Sequence, residues 1–259
     1  MRILFLADVF GAPGRRAVEE RLPDLREELG VDVCIANGEN AADGAGITAK
    51  LATRLLARGV GVVTLGNHVW RQRDIGPLLS TSDRVIRPAN LDGPGVPGRG
   101  LTVIEAPGGA KVAVINLMGA LFLGTPINPF LVIDDLVARA REHTPIVVVD
   151  FHAEATSEKV ALAIHLDGRV TAVLGTHTHV QTNDARVLPG GTAAITDAGM
   201  TGPHDSVIGV EARLAIERMR TGMPVRFQPA EGGVRIEGVV VDCDERGRAT
   251  ACEALRVPA

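Results

Sequence analysis

The sequence predicts an α/β protein built around a parallel sheet that is covered on both faces. Short, continuously apolar runs recur along the chain, and helical patterns with apolar residues three and four positions apart separate them. In the first third, the runs 2–6, 31–36 and 60–65 alternate with two helical patterns, which gives the order βαβαβ. We expect right-handed crossovers between the parallel strands.

The first two helices have clear sequence signals. Residues 18–29 place four apolar side chains at spacings of four, three and four, and Gly30 follows as a stop signal. Leu51 and Leu55 mark the second helix, which precedes the third strand. These helices are the predicted cover for the first strands.

The pattern loosens in the middle of the chain. A short helix is predicted near 75–79, and two paired strands are predicted at 101–105 and 111–117. We expect a single domain over residues 1–259, with 71–124 left open as an inserted cap or loop region.

The regular alternation returns in the second half, which we expect to form a second sheet or layer. The predicted elements are, in order, a helix over 130–140, a strand at 146–149, a helix at 157–166, strands at 170–174 and 192–195, a helix at 211–219, and an antiparallel pair at 235–241 and 249–255.

Composition limits the class of function. The net charge is -4, aromatic residues make up 3% of the chain and tyrosine is absent, which argues against a basic, ring-lined groove for a nucleic-acid polymer. The three cysteines lack Cys-x-x-Cys spacing, so buried free thiols are expected. The sequence has no window of about 18 apolar residues and no signal-peptide cleavage region, so we expect a cytoplasmic protein with no membrane partner.

Polar residues gather where predicted strands end. In a strand, alternate side chains share a face, so His177 and His179 are expected to project together after the run 170–174. Ligands of open α/β sheets bind beyond the carboxyl ends of the strands. A single polar residue at the end of a strand can be explained by a role in capping a helix or finishing a turn. Polar residues at five strand ends in succession favour a functional site instead. The candidates are Asp8, Glu39, Asn40, Asn67, His68, His152, His177 and His179.

The donor types indicate a metal. Imidazoles, carboxylates and amide oxygens without a thiolate suit iron, manganese or zinc. The candidates are numerous enough for two ions about 3.5 to 4 Å apart, an arrangement that binds a phosphoryl group. Two such ions would leave the pocket positive, so an anionic substrate is expected.

The ordered blocks resemble those of the calcineurin-like metallophosphoesterases, and more closely those of the YmdB-like phosphodiesterase branch. The blocks are Asp8, Asn37-Gly38-Glu39-Asn40, Gly66-Asn67-His68, Phe151-His152-Ala153-Glu154-Ala155-Thr156-Ser157-Glu158-Lys159, Gly175-Thr176-His177-Thr178-His179 and Thr196-Asp197-Ala198-Gly199-Met200. The resemblance covers essentially the whole chain. It implies a layered fold in which helices flank central sheets and a metal site lies at the carboxyl ends of the strands.

The resemblance also implies roles for the candidates. Site one would be Asp8, Glu39, Asn40 and His179, and site two would be Glu39, Asn67, His152 and His177. His68 would remain free as a catalytic proton donor. Two departures from the wider superfamily matter: Phe10 stands where a histidine ligand is usual, and Glu39 replaces the bridging aspartate. The oxygen-rich site that results favours iron, with manganese or zinc as alternatives, in divalent or mixed-valence form.

These implications give the expected function. The protein would be a dinuclear metal-dependent phosphodiesterase that hydrolyses a cyclic nucleotide, with 2',3'-cyclic substrates favoured, through attack by a metal-bridging hydroxide. A phosphomonoesterase and a metal-loaded regulatory protein that binds a phosphorylated ligand remain alternatives. Homo-oligomerisation is left open.

Other sequence features are weaker. His143 and His165 are expected to be structural, while His204, in a loop, is left open as a pocket residue. The stretch Gly11–Arg16 could cradle a phosphate at a helix start, although its glycine spacing is common in turns.

Overall fold

A computed structural model describes all residues, 1–259, and confirms an α/β fold with twelve strands and six α-helices. The strands are β1 Arg2–Leu6, β2 Val33–Asn37, β3 Val62–Thr64, β4 Leu101–Glu105, β5 Lys111–Met118, β6 Val147–His152, β7 Ala172–Thr176, β8 Arg186–Val187, β9 Ala193–Ile195, β10 Gly202–Pro203, β11 Val234–Cys243 and β12 Ala249–Pro258. The helices are α1 Gly11–Leu29, α2 Ala49–Ala57, α3 Ile75–Thr81, α4 Ile133–Arg141, α5 Thr156–His165 and α6 Ala212–Thr221. No helix has the length and apolar character needed to cross a membrane.

The strands form two six-stranded sheets. In the first, β1, β2 and β3 are parallel neighbours, as the βαβαβ pattern predicts, and β11 pairs antiparallel with β1. In the second, the order is β4-β5-β6-β7-β9-β8, with a parallel centre and antiparallel edges.

Helices cover only one face of the first sheet. Apolar side chains of α1 and α2, such as Leu22 and Leu55, pack with Leu4 and Leu6 on that face. The opposite face packs against the second sheet, where Phe5 lies in one buried cluster with residues of β5 and β6. Both faces of the first sheet are therefore covered, as predicted, one by helices and the other by the second sheet. Continuous apolar runs indicate that both faces are buried, but not what buries them.

Local signals set the ends of the first two helices. Gly30 adopts a left-handed conformation with φ of 65° and donates its N–H to carbonyls of the last turn of α1. The Thr48 side chain accepts a hydrogen bond from Leu51 N and caps the start of α2. Gly30 thus ends α1 before β2, and Thr48 begins α2 before β3.

The C-terminal strands belong to a different sheet from the one expected. β11 and β12 form the predicted antiparallel pair, but they extend the first sheet beside β1. A bidentate contact supports this pairing, with Arg2 Nε and Nη2 each 2.8 Å from an Asp242 carboxylate oxygen. Alternation in the sequence identifies a strand, but it does not identify a neighbour more than 200 residues away.

The stretch 71–124 contributes to the core. It contains α3 and the first two strands of the second sheet, and β5 is buried at every position after Lys111. β5 lies between β4 and β6, so this part of the stretch is internal to the second sheet. The inserted cap or loop region over 71–124 stays a prediction. The single-domain organisation of the chain stays a prediction.

Candidate metal centre

The predicted site residues lie together at one end of the two sheets. Five of them follow β1, β2 and β3 of the first sheet, and three end or follow β6 and β7 of the second. Asp8, Glu39 and His152 are completely inaccessible to solvent. Parallel strands of both sheets therefore bring their carboxyl ends to a common, buried polar cluster.

One group of donors surrounds His152. Its Nε2 lies 3.1 Å from Glu39 Oε1, 2.9 Å from Asn67 Oδ1 and 3.0 Å from His177 Nδ1. The ligand atoms of Glu39, His152 and His177 all lie within 4.8 Å of one another. These residues are the four assigned to site two.

A second group surrounds the side-chain amide of Asn40. Its Nδ2 lies 3.3 Å from Asp8 Oδ1, 3.2 Å from Glu39 Oε1 and 3.0 Å from His179 Nε2. These residues are the four assigned to site one, and Glu39 is common to both groups. The amide nitrogen faces the group, whereas a ligand role requires the oxygen, so Asn40 must turn by half a rotation about Cβ–Cγ to serve as one.

Phe10 occupies the space beside this second group. Its ring meets His179 edge-on, with ring centroids 5.6 Å apart. Gly44 and Gly209 leave room for the ring, because a Cβ at either position would lie within 2.7 Å of its atoms. The phenyl ring is therefore packed into the fold at the position where the sequence resemblance implies a histidine ligand.

The spacing of the donors fits a metal ion. Two ligands that each lie about 2.1 Å from one ion are roughly 3.0 to 3.4 Å apart. The separations around His152, 2.9 to 3.1 Å, lie close to the lower end of that range, and they bring together carboxylate, amide and imidazole atoms that can all offer lone pairs. A cation at their centre would satisfy such a group, and the mixed nitrogen and oxygen set is compatible with iron, manganese or zinc.

The electrostatics of the cluster also fit bound cations. Burial opposes the charged forms of both Glu39 and His152, but His152 together with His68 lowers the Glu39 pKa, and Glu39 together with nearby aspartates raises the His152 pKa. Burial raises the pKa of Asp8. Burial and the neighbouring His152 lower the pKa of His177 to about 3, so this imidazole is neutral and able to bind a metal.

Each imidazole has a second partner on the side away from the centre. His152 Nδ1 lies 2.9 Å from Thr176 Oγ1, and that hydroxyl donates to Asp150. His177 Nε2 lies 3.0 Å from Glu154 Oε2, and His179 Nδ1 lies 2.9 Å from a backbone carbonyl oxygen. Such partners decide which ring nitrogen carries the proton and leave the other free for a metal.

The turn that carries His177 and His179 differs from the predicted extended segment. β7 ends at Thr176, and His177 and His179 have φ of 105° and 63°. The two side chains therefore enter different groups and do not project together as alternate residues of a strand. Positive φ is costly for residues with a side chain, so the surroundings must hold this turn in place.

A buried ion pair holds the turn. Asp197 Oδ2 accepts hydrogen bonds from Thr178 N at 3.0 Å and from Thr178 Oγ1 at 2.8 Å, and Lys159 Nζ lies 2.8 Å away from the same oxygen. Lys159 and Asp197 have side chains that are 3% and 2% exposed. Sequence reasoning gave no role to Glu154, Lys159 or Asp197, although all three fall within the motifs that carry the family resemblance.

His68 lies beside the donors without belonging to either group. Its Nδ1 is 2.9 Å from Asn40 Oδ1, and its backbone N–H donates to Glu39 Oε2 at 3.1 Å. The side chain keeps 27% of its surface exposed. Burial is the main cause of a lowered His68 pKa.

The weaker sequence candidates have other contacts. His165 contacts Asp134 on the surface, and His204 lies 3.1 Å from Met200 O, outside both donor groups. His143 is exposed. Gly14 allows close packing, because a Cβ there would lie 2.2 Å from Thr201 O. Packing thus accounts for this glycine of the proposed phosphate cradle.

The comparisons with known proteins agree with this architecture. The chain is 48% identical over 246 residues to a 2',3'-cyclic-nucleotide 2'-phosphodiesterase of Bacillus subtilis, covering 95% of this chain and 92% of that protein. A hypothetical protein from Thermus thermophilus has the same fold, with a TM-score of 0.91, 43% identity and coverage of 100% and 99% of the two chains.

A more distant structure shows how far the fold extends. The 5'-nucleotidase precursor from Thermus thermophilus has a TM-score of 0.58 at 13% identity, covering 100% of this chain and 54% of that chain. This likeness shows that the two chains share a fold, and the two sheets with their flanking helices confirm the predicted layered α/β architecture. The model of the family described as YmdB-like protein matches residues 4–255, and the chain therefore belongs to the YmdB-like family.

Proposed function

We propose that the protein is a dinuclear metal-dependent phosphodiesterase that hydrolyses 2',3'-cyclic nucleotides. The observation that carries the proposal is the pair of buried donor groups that share Glu39. The relative from Bacillus subtilis, named for this activity, supports the substrate class.

The ligand assignment follows from the two groups. Asp8, Asn40 and His179 would hold one ion, while Asn67, His152 and His177 would hold the other, with Glu39 between them. When bound, the ions would neutralise the phosphoryl oxygens and lower the pKa of water at the site. The oxygen-rich first group supports iron or manganese over zinc.

The protein's own residues define the geometry around the phosphate. The carboxylates are fixed by backbone donors, since Asp8 Oδ2 accepts from His177 N at 3.0 Å and Glu39 Oε2 accepts from His68 N. These bonds keep one oxygen of each carboxylate directed into the cluster. The site is thus preorganised before any substrate binds.

His68 is the proposed proton donor. Asn40 engages its Nδ1, so Nε2 is the ring nitrogen left to face a substrate. In hydrolysis, a water oxygen bonds to phosphorus and releases one proton to solvent, the bond from phosphorus to one ribose oxygen breaks, and His68 Nε2 gives that oxygen a proton that His68 later regains from solvent. The product is a nucleoside monophosphate.

The test combines metal analysis with a substrate panel. Protein purified without added zinc should contain close to two metal ions per chain, with iron or manganese prevailing. Its kcat/KM should be highest for 2',3'-cyclic nucleotides among monoesters, linear diesters and 3',5'-cyclic nucleotides. Tight nucleotide binding without turnover by metal-replete protein would favour the regulatory alternative, and a preference for monoesters would favour a phosphomonoesterase.

The remaining expectations stay predictions. A cytoplasmic location follows from the sequence reasoning alone, and so does a homo-oligomer as an open option. Gel filtration with light scattering on the metal-replete protein measures the oligomeric state directly.

A further inference from the structure

Four arginines converge at the end of the second sheet opposite the metal centre. Arg141 ends α4, Arg169 precedes β7, and Arg246 and Arg248 lie in the turn between β11 and β12. Together with glycines and Val170 they line a cavity of about 210 Å³. No acidic side chain lines this cavity.

The positive charge of this arginine cavity is only partly balanced. Arg169 Nη1 lies 2.7 Å from Asp134 Oδ1, and Arg141 Nη1 donates to Arg169 O at 2.8 Å. Arg246 and Arg248 are exposed, and the hydrogen bonds that they donate come from their backbone N–H groups and not from the guanidinium groups. Converging like charges without a partner are unfavourable, and an anion bound among them would relieve the repulsion.

The nearby carboxylates are directed at backbone groups. Asp244 Oδ1 accepts the N–H of Arg246 and of Arg248, each at 2.9 Å, and Asp167 Oδ2 accepts the N–H of Gly190 at 2.8 Å. These bonds shape the turns that present the arginines. The guanidinium groups of Arg246 and Arg248 remain available to a ligand.

Two glycines make the arginine cavity possible. A Cβ at Gly247 would lie 2.1 Å from Pro145 O, so only glycine allows the β11–β12 turn to dock there. A Cβ at Gly191 would lie 3.1 Å from Arg248 Nε, so the guanidinium lies across a bare backbone. Both glycines have positive φ, which favours glycine independently.

The arginine cavity is separate from the metal centre. It lies at the amino end of β7, whereas His177 and His179 follow the carboxyl end. Residues 170–176 span about 20 Å at roughly 3.3 Å per residue. A ligand in one site therefore does not contact the other.

We propose that the arginine cavity is a binding site for an oligophosphate, either pyrophosphate, tripolyphosphate or the phosphate tail of a nucleoside di- or triphosphate. Guanidinium groups bind phosphoryl oxygens through paired N–H donors, and four of them suit more than one phosphoryl group. Val170 is the only apolar side chain that lines the cavity, so no surface is provided to select a base.

The test compares two matched double variants in the metal-replete protein. Arg246→Gln with Arg248→Gln removes the two arginines without protein partners. Arg58→Gln with Arg235→Gln removes the same charge from two other exposed arginines. Tripolyphosphate, ATP and GTP are titrated by calorimetry with excess divalent metal, and hydrogen exchange locates the protected peptides.

Bound oligophosphate should protect peptides that contain residues 168–170, 190–191 and 246–248 from hydrogen exchange. The Arg246/Arg248 variant should lose at least about tenfold in affinity, since a hydrogen bond to a charged group contributes roughly that factor. The control variant should bind as the wild type does, ATP and GTP should bind alike, and hydrolysis by the metal centre should be unchanged.

Three results would overturn it. Equal affinity for tripolyphosphate in both double variants would show that the arginine cavity is not the binding site. Protection from hydrogen exchange confined to the peptide containing residues 175–179 would show the same. Tighter binding of a single-stranded oligonucleotide than of tripolyphosphate at the same peptides would assign the cavity to a nucleic-acid strand. Because the metal-site activity is measured separately, loss of this proposal leaves the proposed hydrolysis untouched.

Discussion

The two sheets contribute different chemistry to one centre. The first sheet supplies the oxygen and amide donors Asp8, Glu39, Asn40 and Asn67, and the second supplies the imidazoles of His152, His177 and His179. The carboxylates are steadied by backbone N–H groups, whereas each imidazole is oriented by its own outward partner.

This difference identifies which substitutions should damage each half of the metal centre, where a half is the set of donors that one sheet supplies. A backbone donor cannot be mutated away, so the first half depends on the identity of the ligand side chains themselves. At His152 and His177 the second half depends on side chains that never reach the centre, because these imidazoles are useful ligands only in the correct tautomer. Asn40 is the exception in the first half, since its amide contacts other site side chains at both ends.

The largest effect is expected at the residue where the halves meet. Glu39→Gln should abolish hydrolysis and cost at least one metal ion, because a neutral amide cannot hold two cations as a carboxylate does. Metal analysis and steady-state rates on the folded variant measure both. Two retained metals with near-wild-type turnover would show that Glu39 does not bridge.

His68 should matter through the leaving group and leave the metals in place. A general acid contributes roughly 10² to 10⁴ in rate, and its contribution shrinks as the leaving group becomes a more stable anion. His68→Ala should therefore lose most on a ribose leaving group and least on a nitrophenolate.

Rates on both substrate classes, with metal content measured beside them, distinguish the roles of His68. Equal losses on the two classes would reject proton donation. Loss of metal would instead place His68 among the residues that support the ligands.

Substitutions in the buried ion pair of Lys159 and Asp197 measure how far the second half depends on residues outside the centre. Lys159→Met leaves Asp197 charged, buried and without its cation, which should lower the free energy of unfolding by about 3 to 5 kcal/mol. Adding Asp197→Asn should recover much of that loss, since both charges are then absent. Denaturant titrations measure these values, and Lys111→Met at the exposed start of β5 is the matched control.

An unchanged unfolding free energy in Lys159→Met would mean that the pair does not stabilise the turn. Metal affinity measured under native conditions adds a second test. It should fall together with stability if Asp197 positions Thr178 between the two histidines.

Asn40→Ala should affect one ion and spare the other. Removing a ligand should weaken the first site on the order of a hundredfold or more, because even outer partners of ligands contribute about 10- to 100-fold. Manganese titration should then show one wild-type site and one weak site. A lower unfolding free energy with both sites intact would assign Asn40 a purely structural role.

The smallest effect is expected from the partner of His177. Glu154→Gln preserves the shape but removes the charge that increases the basicity of the imidazole, so the affinity of the second site should fall about tenfold. The absorption spectrum of the cobalt-substituted protein should shift as well. Glu142→Gln, at the end of α4, is the control. Identical cobalt spectra and metal affinities in the two variants would show that Glu154 does not tune His177 as a ligand.

The sequence predicted the polar residues at the strand ends better than the residues that contact them. Polar residues after apolar runs located all eight candidates, because the carboxyl ends of parallel strands necessarily share an edge. Their assignment as ligands stays a prediction. Glu154 and Lys159 could not be recognised, because a charged side chain on a helix or loop looks like a solvated one until its partner is known.

Sheet membership was beyond sequence reasoning for a similar reason. The strand β11 has a clear apolar pattern, but its position next to β1 depends on packing between the two ends of the chain. The turn at His177 was also missed, since its positive φ is imposed by Thr178 and Asp197 and not by local preference.

The pairing of β1 with β11 has a kinetic consequence. β1 is synthesised well before one of its two neighbours, which lies more than 230 residues downstream, at Gly238 to Asp242. Contacts this distant in sequence slow folding, and until they form, one edge of an apolar strand is unpaired and prone to aggregate. The first sheet, and with it the support for Asp8, is therefore completed only after β11 has been synthesised.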